Sequence, residues 1–419
     1  MLAFGVLVEL RSAFQQTSKT DFGVYARAAW AVRAGADPYA VTDSNGWHYC
    51  YPPPLAILLA PLADPPAGED RSGYLPFAVS VALWYLFGIG CVCWAAHRLA
   101  GAVLPGEPAG TRRWWYARAV PVCVCLGAVG FTLGRGQVNL LVVALVAGMF
   151  AAVVAGRRFG SGAWLAGAVA LKVIPGLLVL FPLLRRDRRA MVGLTAGLVV
   201  LLGVLPAAVW GAGGAVEMNR RMIEQVLRPG ATGDGDQTRA EELTDTISTD
   251  NQSFAAAIHA NLYPDPEVRP RVASAETRLA HWAIGAALTL VTIVAGWRVP
   301  RANPADQLVL VGCLCVLMVL LSPVSHMHYY AMALLLVAGL WLRGLAARPG
   351  SHVADPLTTG ALAAWGALTA LPLLPGPAFD QLREGGFATA ATVGLWALGV
   401  WTLGRRHFRP NFASAPASL

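Results

Sequence analysis

The sequence predicts an all-α polytopic membrane protein, and three observations carry that prediction. Of 419 residues, 56% are hydrophobic and only 13% are charged, too few polar side chains to cover a soluble globule of this length. The apolar residues gather in runs suited to a bilayer, which needs about 20 residues per helical crossing. Basic residues cluster in alternate connections between those runs, so that one set of loops is net positive and the other net negative, as the positive-inside rule requires of inner and outer loops. The formal charge of +8 is then a topology signal that leaves room for contact with anionic lipid, and not a nucleic-acid footprint.

Taken in order, Met1 to Leu10 is apolar but too short to span, and reads as a first helix truncated by a late start or lying in the interface. It lacks the basic start and small-residue cleavage site of a signal peptide. A short helix follows over roughly 21–35, then a turn at Gly35-Ala-Asp-Pro-Tyr39. Tyr51-Pro-Pro-Pro54 cannot be helix interior and predicts a rigid, extended re-entry before a short apolar piece at 55–62. Spans are predicted near 74–97, 119–133, 138–156, 161–172, 174–184, 190–210, 279–297, 306–322, 328–342, 357–375 and 387–404, about 11–12 transmembrane helices with the first one truncated. Residues 161–184 are divided at Lys172-Val-Ile-Pro175, because one continuous helix would leave Arg185, Arg186, Arg188 and Arg189 on the outer side. The whole of 1–419 reads as a single membrane-embedded domain with a first outer loop at 11–73 and a long one at 211–278, whose middle, Pro229 to Thr249, has the composition of a mobile loop. Six of the seven cysteines form Cys-x-Cys pairs in apolar runs; residues two apart face different ways on a helix, which disfavours zinc or disulfide roles.

The polar residues that remain gather at the outer ends of the predicted spans. They are Asp21, Tyr51-Pro-Pro, Gly134-Arg-Gly-Gln-Val-Asn139, Lys172, Asn251-Gln-Ser253 and Ser322-Pro-Val-Ser-His-Met-His-Tyr-Tyr330. Each has a plain structural reading: Asp21 as a helix N-cap, Arg135 as a snorkelling cation with Gln137 and Asn139 capping or joining helices, Asn251-Gln-Ser253 as a cap before Phe254. Lys172 resists such a reading, since an ammonium between two apolar half-spans needs an anion or water. His326 and His328 are two apart, unlike the i, i+4 spacing of a helical metal site. Interfacial aromatics, here Tyr25, Trp30, Trp47 and Tyr51, are expected in any membrane protein and also offer faces for stacking a pyranose. No nucleotide-binding loop and no Ser-His-Asp signature is present.

Together, in this order, Asp21-Phe-x-Val-Tyr25, Tyr51-Pro-Pro, Gly136-Gln-x-Asn139, Lys172-x-x-Pro175, Asn251-Gln-Ser253 and Ser322-Pro-x-Ser-x-x-His328 resemble the motifs of glycosyltransferase family 87. That group of polytopic enzymes, of the GT-C fold, is similar to polyprenol-phosphate-mannose-dependent α-1,2-mannosyltransferases of the actinobacterial envelope. The resemblance implies a polyprenyl-phosphate sugar as donor, a glycolipid or glycan acceptor and membrane lipid as partners, with no nucleic acid. The expected reaction moves a hexose, mannose above all, on the extracytoplasmic face of the cell membrane with inversion. It makes Asp21 the general base. Lys172, His326, His328 and Arg135 are candidates for the donor phosphate, and Tyr25, Tyr51, Gln137, Asn139, Asn251 and Gln252 for sugar or acceptor. No cofactor or resident metal is expected, with a divalent cation left open. A transporter or flippase of a lipid-linked saccharide is the rival reading; it predicts polar positions at mid-membrane and recognisable repeats.

Overall fold

The computed structural model describes residues 5–7, 20–232, 243–244, 246–248, 250–265, 267–374 and 376–405. Among these the chain is helical, with no strand beyond one isolated bridge between Thr42 and His48. Every predicted span has a helix at its place: Phe77–Val103, Arg112–Val124 with Leu126–Arg135, Asn139–Val154, Arg158–Leu171, Ile174–Leu184, the run from Arg188 to Thr232, Ala275–Trp297, Pro304–Leu320, Met327–Ala346, Pro356–Ala370 and Phe387–Gly404. By length and composition five of these cross a bilayer unaided, six if the bent pair counts as one. The others are short because they sit inside the bundle. In Pro304–Leu320, Ala305 to Leu320 are all buried, so neighbouring helices rather than lipid surround that segment. The apolar N-terminus expected as a shortened first helix lies, apart from residues 5–7, outside the described residues.

The outward faces of the long helices are apolar, as lipid requires. Leu279, Leu290 and Trp297 on Ala275–Trp297 are exposed, as are Val199, Val200 and Val204 on the run from Arg188 to Thr232. Helix starts are marked by short polar side chains that accept from otherwise unpaired amides: Asp187 from Ala190, Ser274 from Thr277, Asn303 from Asp306 and Asp355 from Thr358. At the end of the molecule that the charge pattern assigns to the inside, arginines donate to main-chain carbonyls at or just past helix C-termini. Arg113 reaches the carbonyl of Leu345 at 2.9 Å, Arg185 that of Val299 at 2.7 Å and Arg301 that of Arg185 at 2.8 Å.

Two departures from expectation have local causes. The span at 119–133 is broken, with Arg112–Val124 and Leu126–Arg135 bent by 65°, and Pro121 lies within its last full turn. The long outer segment does not begin as a loop. Helix continues from Leu205 through Thr232, with a kink at Gly211, whose φ of 73° suits only glycine. Residues 233–242, 245 and 249, most of the expected mobile loop, lie outside the described residues. The division at Lys172 is as expected: Arg158–Leu171 ends there, Lys172 is extended (φ −152°, ψ 124°), and a 3-10 turn from Ile174 leads into Leu180–Leu184.

Candidate active site

The polar motifs converge on one cavity of about 390 Å³. Asp21, Tyr25, Tyr51, Arg135, Gln137, His326 and His328 all line it. Its construction starts at Gly136. The helix Leu126–Arg135 ends there with φ 68°, a left-handed turn that closes the helix. A Cβ at Gly136 would lie 2.7 Å from Cβ of Phe22, so glycine alone lets the helix Asp21–Ala34 press against the turn. The indole of Trp84 donates to the Gly136 carbonyl at 2.7 Å and stacks on Phe22 at 5.9 Å between ring centroids. Gln137 is thereby fixed beneath the first turn of Asp21–Ala34.

Gln137 then orders the carboxylate. Its Oε1 accepts from the Tyr25 hydroxyl at 2.9 Å and from the Tyr51 hydroxyl at 3.0 Å, the two rings meeting edge to face at 5.0 Å. With the oxygen so occupied, the amide NH₂ of Gln137 is left to donate to Asp21. Asp21 is the first helical residue, not the cap; Thr20 occupies the cap position and makes no side-chain capping bond. The capping role that Asp21 would fill by itself is therefore absent. Its Oδ2 is buried and has no hydrogen-bond partner among the described residues. Burial raises the Asp21 pKa above the ordinary carboxylate value, with the Arg135 guanidinium, the Gln137 amide, His326 and Lys172 opposing. The carboxyl is thus proton-hungry, while the positive groups and the amide around it favour its charged form.

The opposite wall comes from residues 322–330. His326 and His328 face each other at 5.5 Å between centroids, and the ring of His328 stacks on Phe131 at 6.2 Å. Neither ring nitrogen of His328 has a partner among the described residues. Arg135 lies within 6 Å of the Phe131 and Trp47 rings, and Trp47 is presented by a turn that the Asp43 carboxylate organises through the amides of Asn45 and Trp47.

Four predicted site residues lie elsewhere. Lys172 does not line the cavity. Its ammonium lies beneath the aromatic floor, 3.7 Å from the Tyr329 ring centroid, and donates to Oδ1 of Asn139 at 2.8 Å. Asn139 in turn donates to the His328 carbonyl at 2.9 Å, so Lys172 and Asn139 brace the histidine loop from below. Asn251 accepts from the amides of Ser325 and Ser253, and the Gln252 main-chain amide donates to the Ser325 carbonyl. The Gln252 side chain reaches the Arg383 carbonyl. Both residues clamp the loop that carries His326 and His328, while Ser253 caps Phe254–Leu262 as its sequence position predicts. The cavity also takes in His48, Cys50, Asp250 and Tyr329. Sequence gave no signal for Asp250, an exposed loop carboxylate whose carbonyl meets His326 at 3.1 Å. Tyr329 had one, its place within the 322–330 run. Among the described residues no three His, Cys, Asp or Glu side chains converge as a metal group would need.

The fold and cavity define a class, an integral membrane protein with a polar, carboxylate-bearing chamber at one end of an apolar helical bundle. The sequence matches glycosyltransferase family 87 over residues 49–323, and the chain belongs to that family. It is 29% identical over 306 residues to the polyprenol-phosphate-mannose-dependent α-(1-2)-phosphatidylinositol mannoside mannosyltransferase of Mycobacterium tuberculosis, covering 70% of this chain and 63% of the relative. The protein of the same description from Mycolicibacterium smegmatis is 28% identical over 318 residues, 72% of this chain and 64% of the relative. The matches thus span somewhat under two thirds of either relative's length. The crystal structure of ArnT from Cupriavidus metallidurans bound to undecaprenyl phosphate aligns with 96% of this chain and 72% of its own, at 17% identity and a TM-score of 0.43.

Proposed function

We propose that the protein is a polyprenyl-phosphate-sugar-dependent glycosyltransferase that moves a hexose, mannose in the first instance, to an envelope glycolipid or glycan on the non-cytoplasmic face. The observation that carries this reading is the pairing of an unpartnered carboxyl oxygen on Asp21 with cationic and donor side chains in the same chamber. The acceptor hydroxyl oxygen attacks the anomeric carbon, its proton passes to Asp21, and the bond from that carbon to the phosphate oxygen breaks, with the electron pair leaving on polyprenyl phosphate. One displacement at one carbon inverts it. Arg135 and His326 meet the growing phosphate charge, and His328 has ring nitrogens to offer to sugar or phosphate. A carboxylate in this role contributes roughly 10²–10⁴-fold. The donor in the names of the mycobacterial relatives supports a mannosyl donor here.

The enzyme reading is favoured over a carrier by what lies below the chamber. The helix Asn139–Val154 descends from it with Val142, Val143, Val146 and Phe150 buried among other apolar side chains, where a translocation path would need polar positions. The test is transfer from radiolabelled polyprenyl-phosphate mannose to a panel of envelope glycolipids by the purified protein in lipid. Asp21→Asn is expected to stay folded and lose transfer. Full activity of that variant sinks the general-base assignment, and movement of the donor across the bilayer without transfer sinks the enzyme.

A further inference from the structure

A second cavity, of about 290 Å³, lies at the far end of the same helix. It is lined by Met149, Val153 and Gly156 at and past the C-terminal end of Asn139–Val154, whereas the first chamber takes in Gln137, just before the start of that helix, whose 16 residues span about 24 Å. Its charged wall consists of Arg158, Arg185, Arg301 and Asp187. Asp187 is already engaged, holding Arg158 at 2.7 Å and capping Ala190. That leaves two arginines without a counter-charge on the wall. Arg185 is 93% buried, spends Nη1 on the Val299 carbonyl, and has no partner for Nε or Nη2 among the described residues. Arg301, exposed, donates from one Nη to the Arg185 main-chain carbonyl, and both residues line the same cavity.

A buried guanidinium with two idle donors, beside a second cation, pays for its desolvation only when an anion fills the gap. Planar N–H pairs match the oxygens of a phosphate better than a point-charge anion. The space is about ten times the ~30 Å³ that one liquid water takes, so it admits a headgroup. The neighbours of the lining residues, Phe159 and Leu183, are exposed apolar side chains, so the wall adjoins surface suited to acyl chains.

We propose that this cavity is a second binding site, for a phosphate group held between Arg185 and Arg301, with a phospholipid headgroup or free phosphate as the source. The site is separate from the Asp21 chamber, and the proposal stands whether or not that chamber transfers sugar.

The test uses the full chain in dodecyl maltoside, a detergent that carries no phosphate, titrated either with inorganic phosphate or with phosphatidylglycerol at constant ionic strength. The readouts are the thermal midpoint and native mass spectrometry of retained lipid. The wild type is expected to be stabilised by one source or both, with apparent affinity about tenfold weaker in Arg301→Gln and in Arg185→Gln. Stabilisation by phosphatidylglycerol alone names the lipid headgroup; stabilisation by inorganic phosphate alone names the soluble ion. Either supports the site. No stabilisation from either source, or equal stabilisation of wild type and Arg301→Gln, overturns it. Arg185→Gln also loses the Val299 bond, so Arg301→Gln, at an exposed side chain, decides the matter if the other variant does not fold.

Discussion

The helix Asn139–Val154 runs between two chambers: just before its start Gln137 lines the one that holds a carboxyl oxygen of Asp21 with no partner among the described residues, and past its end Arg185 lines the other with guanidinium nitrogens equally without one. The two chambers differ in how their polar groups are held. Around Asp21 the support includes bonds from side chain to side chain, two tyrosines on one glutamine and a lysine on an asparagine, with that asparagine in turn holding the His328 carbonyl. Around Arg185 the side chains bond mostly to main-chain carbonyls at helix ends. A site that must place a proton within hydrogen-bond reach of a reacting hydroxyl needs its carboxylate fixed in orientation. A site that holds a charge needs only the charge and an opening. The comparison therefore predicts that chemistry is sensitive to the props of the first chamber, and binding only to the cations of the second.

The largest effect is expected at the carboxylate. Asp21→Asn should lower the transfer rate by about 10²–10⁴-fold while leaving the melting temperature at pH 7 unchanged or raised. The sign follows from the direction of the shift. Asp21 has its pKa raised in the folded protein, so the native state holds the proton more tightly than the unfolded chain. Stability then falls as pH rises from the ordinary value of about 3.9 through the folded pKa, and asparagine removes that loss. The same shift places the acid limb of the transfer rate above the pH at which an ordinary carboxylate titrates. A marked drop in melting temperature for Asp21→Asn would make the residue structural and dissolve the contrast between the chambers.

Next comes Gln137→Leu. It strips the acceptor from two buried phenols, at a cost of about 1–3 kcal/mol for each unsatisfied group, and removes the amide that favours the Asp21 carboxylate. Lower stability by denaturant titration should come with an acid limb moved to higher pH; an unmoved limb would show that Gln137 holds the tyrosines without ordering Asp21. Gly136→Ala should cost about 1 kcal/mol or more, from a positive φ and the approach to Phe22, and should slow transfer by displacing the first turn of Asp21–Ala34. The smallest effect is expected for Asp250→Asn. This second carboxylate on the chamber wall is exposed, and its main-chain carbonyl, which substitution leaves in place, is what meets His326. A change of less than about twofold fits general-base assignment to Asp21; a large loss would move it to Asp250.

Legibility in the sequence was uneven for identifiable reasons. The division of 161–184 at Lys172 followed from charge alone, because four arginines had to share a side with the other basic loops, and the chain is extended there. The convergence of Asp21, Gln137 and His328 followed from motif order. The destinations of individual side chains did not. Lys172, by its sequence a candidate for a phosphate, bonds Asn139; Asn251 and Gln252, by theirs candidates for a sugar, meet main-chain groups through their side chains. A one-dimensional pattern shows that a polar residue near lipid needs a partner, but a carbonyl 131 residues away, as for Gln252, satisfies that need as well as a ligand does. Gly136 was visible as part of a motif, while its reason, the nearness of Phe22, is a tertiary distance.

What the sequence determined by itself was the class of architecture, the placing of the helices and the end of the molecule where polar chemistry gathers. Those follow from hydrophobic length, basic-loop bias and helix punctuation, which act over a few residues to a few tens. Only the tertiary structure decided which oxygen of which carboxylate is left unpaired, which lysine is a brace, and that a second chamber with idle arginine donors exists. Those outcomes depend on hydrogen-bond partners drawn from helices far apart in the chain, and a donor's surplus is known only when every neighbour has been placed.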